Sequence, residues 1–249
     1  MIRTRVPFIF VIGFILCTTS CYKKGSTGPA GPVGPSYVGA INGHFTVYDQ
    51  YGDRLFNGYQ NITATLKGGK TVAPDPVTGY YIFDSVATGT YKMQCSGTGL
   101  ATTVLNNFTF INDTLYRDIG LSAVPTFSLT SFTAYHNAGS AYDSLVITVT
   151  ADTKARNCII FVSDKPGVSN DPASYIYTYV KTIAANATYM LVRVPASDLN
   201  VANIFYGQPV YYAAYSYVVN DVSVYEDMVT GRNVYNAVGA ALADSAICP

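Results

Sequence analysis

The sequence contains no tryptophan, one glutamate (Glu226), two histidines and five cysteines, and only 12% of its 249 residues are charged. Each shortage excludes something. With 15 basic and 15 acidic side chains the formal charge is zero, so there is no basic field to hold a nucleic-acid backbone. Near-absence of Glu removes half of the Glu–Lys pairing that coats helix surfaces, and no strong helix is expected beyond the N-terminal leader. His44 and His136 stand alone, each beside turn residues, and offer no metal-ligand spacing. Serines are plentiful, yet no Gly-x-Ser-x-Gly elbow is present and no Cys/His arrangement suggests a thiol enzyme. Asp49 and Asp53 flank Gly52, but two carboxylates fall short of the roughly six to eight oxygens that calcium takes. Asp221, Glu226 and Asp227 cluster near a turn and read as a solvated loop. No catalytic residue, metal or cofactor is assigned from the sequence, and the chain is expected not to be an enzyme.

What is abundant points one way. Tyr numbers 22 and Thr 26, and 49% of the residues are hydrophobic. Such a chain can bury enough apolar surface to offset the entropy of ordering, and Tyr, Thr and Val fill pleated, half-buried faces. The composition is that of an all-β protein.

The N-terminus reads as an address. Arg3 and Arg5 precede an apolar run from Val6 to Cys17, too short to cross a membrane. It ends in Cys17-Thr18-Thr19-Ser20-Cys21, which resembles the lipobox of bacterial lipoproteins, although Thr18 stands where that family prefers Leu. The resemblance implies a signal peptide over 1–20 and a lipidated Cys21 that anchors the chain to a membrane. Gly25 to Ser36 repeats Gly every third residue with Pro between, a collagen-like tract best read as a polyproline-type spacer over 21–37. Short Gly-Pro tracts after the anchor cysteine also resemble those of Bacteroidetes lipoproteins. That likeness implies the cell envelope and an outer-membrane location. Tyr22-Lys23-Lys24 lacks the acidic stretch of a surface-export signal, which favours the periplasm-facing side over the surface.

Two tandem Greek-key β-sandwich domains are expected next, over 38–124 and 125–249. In the first, within the run from Gly79 to Met93, Tyr81 and Phe83 fall on one face of a strand, Val86 plugs the connection, and Gly89 permits a turn before Tyr91 and Met93 start the next strand. Together with Gly43, Val47, Asp49, Gly52 and Leu55, this pattern resembles the carboxypeptidase regulatory-like domain, a transthyretin-like sandwich, from about Gly43 to Leu121. The resemblance implies a folding, spacing or docking module. Related surface domains form Lys–Asn isopeptide bonds with a buried acid, usually Glu, and this stretch holds no Glu.

Beyond Pro125, runs at 127–132, 144–150, 158–163, 175–180, 189–194 and 209–219 read as strands, 127–132 by alternation and 158–163 as a run apolar enough for a central strand, with 233–238 closing the series. Their spacing resembles fibronectin type III or immunoglobulin sandwiches, and Tyr211 or Tyr212 could serve as the tyrosine corner of such a fold. Alternation sets Tyr175, Tyr177 and Tyr179 on one face of a strand, and Tyr211, Tyr215 and Tyr217 on one face of another, with Tyr212 opposite. These six are the candidate ligand face, since tyrosine offers an apolar body and a polar tip to a sugar or a protein. Packing across a sandwich is the competing reading.

Once the leader is removed and Cys21 lipidated, Cys95, Cys158 and Cys248 remain. Cys95 shares a strand face with Tyr91 and Met93 and is expected in the core. Cys158 and Cys248 are the candidate disulfide. The tripeptides beginning at Asp84, Asp113, Asp143 and Asp244 resemble the O-glycosylation motif of Bacteroidetes and make Ser85, Thr114, Ser144 and Ser245 candidate acceptors; the competing reading is turn chemistry. The function expected is an anchored, non-catalytic interaction module with a glycan or envelope-protein partner and no nucleic acid. A structural spacer of an envelope assembly is the alternative, and an enzyme of unrecognised type a second one.

Overall fold

Alternation along Val38–Tyr48 (β1) sends Ile41, Phe45 and Val47 inward and Asn42, His44, Thr46 and Tyr48 outward. A computed structural model describes residues 37–111 and 113–248; the leader, Cys21 and the Gly/Pro tract lie outside them. Ser36–Pro249 forms one compact unit by its contacts. The chain is all-β, as the composition requires, with a sandwich architecture.

The strands of the first half are β1, β2 (Arg54–Leu55), β3 (Ile62–Leu66), β4 (Thr71–Val72), β5 (Tyr80–Ala87), β6 (Gly89–Gly97), β7 (Leu100–Phe110), β8 (Thr114–Tyr116) and β9 (Ile119–Ser122). β1 is the centre of one sheet, antiparallel to β2 and β5 and parallel to β8 and β9. The facing sheet has the order β4-β3-β6-β7. Phe45, Tyr81, Phe83, Met93, Cys95, Phe110 and Leu121 fill the space between them. A fully buried side chain of that size contributes about 1.5–3 kcal/mol, so this inward set is what holds the two sheets face to face. Cys95 is fully buried beside Met93, as the shared strand face indicated.

The second half contains β10 (Leu129–His136), β11 (Tyr142–Val149), β12 (Arg156–Ser163), β13 (Tyr177–Ile183), β14 (Tyr189–Pro195), β15 (Pro209–Tyr217), β16 (Tyr225–Glu226), β17 (Asn233–Val234) and β18 (Val238–Ile247). A sheet β10-β11-β14 packs on a sheet β13-β12-β15-β18, every pairing being antiparallel. One six-residue helix, α1 (Ala196–Val201), leads out of β14. The closing strand differs from the expectation. Asn233–Val234 pairs with β16 in a separate ribbon, and Val238–Ile247 closes the sheet on β15. Its Gly-Ala-Ala-Leu-Ala-Asp-Ser-Ala sequence has weak strand character; pairing along β15, more than propensity, makes it a strand.

β12 is buried along its whole length. Cys158, Ile160 and Val162 face the inter-sheet core. Ile159 and Phe161 face the other way, into a second apolar layer built from Val168, Tyr175, Tyr215, Tyr217, Val218 and Ala237, with Ala101 of β7 completing it. Two long connections, 164–176 and 218–237, thus fold back over the outer face of this sheet.

That layer corrects the proposed tyrosine face. Tyr175, Tyr215 and Tyr217 are buried in it and Tyr211 packs against it; rings of Tyr175, Tyr215 and Tyr235 lie 5.0, 5.4 and 5.7 Å from Phe161. Tyr175 precedes β13 rather than lying in it. Tyr179 packs against the opposite core and donates to Asp198 of α1 (2.9 Å), while Tyr177 alone of the six is exposed (40%). The six do not share a surface: Tyr175 lies before β13, where strand alternation no longer fixes its side, and alternation does not say what covers a face. Tyr212 is no tyrosine corner either: its hydroxyl donates to a carboxylate, not to the backbone.

The proposed disulfide fails on register. Cys158 pairs with Ser216 of β15, whereas Cys248 follows Ile247, the partner of Pro209. Cys248 thus lies opposite Gln208, and the eight strand residues from there to Ser216, at about 3.3 Å each, place the two cysteines some 26 Å apart along the strands, far beyond a bridgeable Cα separation of about 7 Å. Both are buried thiols in the same core, and Cys248 Sγ donates to the Ile204 carbonyl. Burial pushes the Cys95 and Cys158 thiols up to about 12, which removes them as thiolate nucleophiles.

Candidate functional site

One concavity is assembled from three stretches far apart in sequence. The first is the corner between β8 and β9. Here the strand that runs parallel to β1 breaks at Arg117-Asp118 and dips over Gly43. Arg117 N–H donates to the Asn42 carbonyl (2.7 Å), the Tyr81 hydroxyl donates to the Arg117 carbonyl (2.6 Å), and His44 N–H donates to Asp118 Oδ1 (2.8 Å). A side chain on Gly43 would occupy the place of the Arg117 carbonyl oxygen, 1.9 Å from an added Cβ.

The second wall is a bulge in β7. Tyr91 pairs with Phe108 and Met93 with Leu105, so Asn106 and Asn107 together oppose one residue of β6, and Asn107 takes a positive φ of 49°. Bulges of this kind re-aim neighbouring side chains. Leu105, Asn106 and Phe108 line the concavity, Leu105 and Phe108 also packing against the inter-sheet core, and the Phe108 ring lies 6.2 Å from that of Tyr91.

The third wall is the connection 218–237. It is pinned to the outer face of the first sheet by Ser122 N–H to Ser223 Oγ (2.9 Å) and Val222 N–H to Ser122 Oγ (3.0 Å). Val222 sits directly on Gly120, where an added Cβ would lie 2.7 Å from it. Asn106 Nδ2 then donates to the Glu226 carbonyl (3.1 Å), and Thr230 caps Asp227 Oδ2 through its amide and hydroxyl (2.8 and 2.7 Å) to close the β16–β17 ribbon.

The result is an open groove of about 530 Å³. Its apolar lining comes chiefly from Leu105, Phe108, Tyr225 and Met228, and its polar groups are Asn106, Arg117, Asp118 and Glu226. One cation against two carboxylates makes it mildly acidic. Arg117 and Asn106 donate hydrogen bonds, Asp118 and Glu226 accept them, and two aromatic rings stand among them. That donor set suits a ligand with many hydroxyls and apolar CH faces.

Two smaller concavities, about 320 and 380 Å³, meet at Tyr175, Ile176 and Arg232. Arg232 is committed there: Nη1 donates to the carbonyls of Pro172 (3.0 Å) and Tyr175, and the guanidinium lies over the Tyr175 ring. It holds the 164–176 connection closed rather than awaiting a ligand.

The remaining candidates take structural places. Asp49 Oδ1 accepts the Tyr51 and Asp53 amides in a turn, and Asp53 pairs with Lys154 at 2.7 Å across the two halves. Among the described residues, no group of three or more His, Cys, Asp and Glu converges on a metal-sized site. His136 Nδ1 lies 3.3 Å from Asp143 Oδ1, a pair the sequence did not suggest. Asp143 is fully buried and accepts the Tyr212 hydroxyl at 2.6 Å; burial pushes its carboxyl above the ordinary range, against the pull of Tyr212 and His136. Adjacent Ser144 is also buried, between its cross-strand neighbours Tyr135 and Arg193, and cannot receive a glycan in the folded protein. Ser85, Thr114 and Ser245 are exposed.

No family model matches the sequence, and comparison with curated proteins finds no match. Similar solved structures include a candidate carbohydrate-binding protein of Bacteroides uniformis, 14% identical, covering 83% of this chain and 98% of that one with a TM-score of 0.31. A DUF3823 family protein of Bacteroides ovatus is 13% identical over 85% of this chain and 100% of its own, with a TM-score of 0.30. The major pilin SpaD of Corynebacterium diphtheriae is 12% identical over 83% of this chain and 65% of its own, at 0.28. Likenesses at this level assign neither a family nor a ligand.

Proposed function

We propose that this chain is an anchored, non-catalytic envelope module that binds a neutral glycan in the groove between β7, the β8–β9 corner and the β16 ribbon. The observation that carries the reading is the groove's composition. Phe108 and Tyr225 offer rings to the CH face of a pyranose, while Asp118 and Glu226 accept, and Arg117 and Asn106 donate, at the hydroxyl edges. An acidic sugar would face two carboxylates against one guanidinium, so the neutral class is preferred.

Titration calorimetry against panels of neutral and uronic-acid oligosaccharides tests it. A neutral member should bind, and Tyr225→Ala should weaken it by about tenfold or more, equivalent to at least ~1.4 kcal/mol. Tyr225 is only half-buried in a two-residue strand, so circular dichroism of the variant should stay that of the parent. Failure of every neutral glycan to bind, or full affinity in the variant, overturns the reading.

The anchor belongs to the same proposal. Cys21 carries the lipid, holding the module at the outer membrane on its periplasmic side, and the Gly/Pro tract supplies reach of about 3.1 Å per residue. The strand orders of the two halves support placing them with the carboxypeptidase regulatory-like and fibronectin type III-like sandwiches. Intact-mass measurement of protein extracted from native membranes should show the acyl additions on a chain that starts at Cys21, and hexose additions if Ser85, Thr114 or Ser245 is an acceptor. A chain of unmodified peptide mass refutes both modifications.

A further inference from the structure

The outward row of the first sheet has two fates. The β9 positions Gly120 and Ser122, which pair with Thr46 and Tyr48 of β1, are overlaid by the 218–223 stretch, through Val222 on Gly120 and the bonds of Ser122 to Val222 and Ser223. Beyond the edge of that cover the same face stays open, and it is aromatic. His44 stands between Tyr80 and Tyr116, with ring centroids 5.3 and 6.2 Å away, and His44 Nδ1 lies 2.6 Å from the Tyr116 hydroxyl. The His44 side chain is 45% exposed and Tyr116 54%. The strand pairing puts Ile82 and Tyr116 on either side of Asn42, one step along the same row.

Asp118 belongs to both surfaces. It lines the groove beside Arg117, and its Oδ1 accepts the His44 amide while lying 3.9 Å from His44 Nδ1. The aromatic row and the groove therefore meet at one residue, with the Asp118 carboxylate at the junction.

We infer that the groove and the Tyr80–His44–Tyr116 row are one extended site, so that the module reads a stretch of a glycan chain rather than a terminal sugar. This rests on the glycan reading of the groove. A chain held among Phe108, Tyr225 and Arg117 leaves across Asp118 and lays its next units on the exposed Tyr116 ring and the half-buried His44 and Tyr80 rings. The rings are tilted to one another by 50–57° rather than coplanar, which suits a twisted chain of linked pyranoses better than a flat crystalline face. Tyr and His present edges that hydrogen-bond hydroxyls as well as faces that stack.

The test is a length series on the full chain: cello-, malto-, xylo- and manno-oligosaccharides from disaccharide to octasaccharide, titrated against the parent, Tyr116→Ala and Tyr80→Ala. For the ladder that binds, parent affinity should climb with length beyond the shortest oligomer bound. The two variants should lose about tenfold on the long oligomers and leave the shortest one unaffected, whereas Tyr225→Ala weakens all of them. Affinity that is flat with length, or a row variant that weakens short and long oligomers alike, overturns the extended site while leaving the groove reading standing. If no oligomer of any ladder binds the parent, the groove reading and this inference fall together.

Discussion

Gly43→Ala is expected to destabilise the protein by about 3 kcal/mol or more, placing it among the severe single substitutions, and to abolish ligand binding in whatever fraction still folds. The cause is contact, not conformational freedom. Gly43 has no positive φ; it lies in β1 directly under the point where the β8–β9 corner crosses, and an added Cβ would sit 1.9 Å from the Arg117 carbonyl oxygen and 2.5 Å from its carbon. Neither side can yield cheaply. β1 is held by β5 on one flank, Gly43 opposite Tyr81, and the Arg117 carbonyl is held by the Tyr81 hydroxyl. For a domain of this size about 3 kcal/mol corresponds to a fall in Tm of roughly 6–12 °C. Any relaxation must move Arg117 and Asp118, so glycan affinity and stability fall together. A Gly43→Ala protein that melts within about 2 °C of the parent would show that the corner is not fixed as described.

Gly43 also shows what was legible in the sequence. It stands in the pattern with Val47, Asp49 and Gly52 that pointed to a regulatory-like sandwich, and most strand positions followed from alternation and turn residues. Ile62–Leu66 and Tyr189–Val194 lie in strands where alternation put them, and Cys158–Ser163 lies in one where its continuous apolar run put it, whereas β5 runs on to Ala87 through the Val86 that read as part of a connection. Alternation failed where the decisive information is non-local. It assigned Tyr215 and Tyr217 to one face correctly, but nothing in their strand says that the 164–176 and 218–237 connections fold back and bury that face. It could not find β18, whose small residues carry no strand signal and which is fixed by eight pairings to β15.

The groove was illegible for a related reason. Arg117 and Asp118 come from a break between two short strands that pair in parallel with β1, about seventy residues earlier in the chain. Phe108 comes from a bulge and Tyr225 from a two-residue strand, neither of which has a periodic signature. The acidic cluster at 221–227 was visible, but its members divide three ways. Glu226 lines the groove, Asp227 caps the ribbon turn, and Asp221 is pushed upward by burial at the joint, where its Oδ1 holds the Ser223 amide. Spacing along the chain shows that acids are neighbours. Which of them meet solvent depends on what packs over them.

Asp143 gives the second large effect, and its sign separates charge from hydrogen bonding. Asp143→Ala should cost about 2–4 kcal/mol, because it leaves the buried Tyr212 hydroxyl without its acceptor and opens a void beside His136. Asp143→Asn should cost little at neutral pH, since an amide oxygen still accepts from Tyr212 and no charge has to be buried. The pH dependence follows from burial. The folded-state pKa of Asp143 is raised, so between the ordinary carboxylate value of about 3.9 and that raised value the folded chain keeps a proton that the unfolded chain has lost. Its stabilising contribution is complete below about pH 4 and is lost as pH rises through the folded value. Asp221 is raised by burial as well and imposes the same trend on the parent, so parent and variant must be compared at each pH rather than the parent read alone. Asparagine does not titrate. Urea unfolding from about pH 4 to pH 7 should therefore find Asp143→Asn gaining on the parent as pH increases, with Asp143→Ala below both at neutral pH. A gap between Asp143→Asn and the parent that stays constant across that range would mean that Asp143 is not held against its charged form, and that the Tyr212 bond alone accounts for its place in the core.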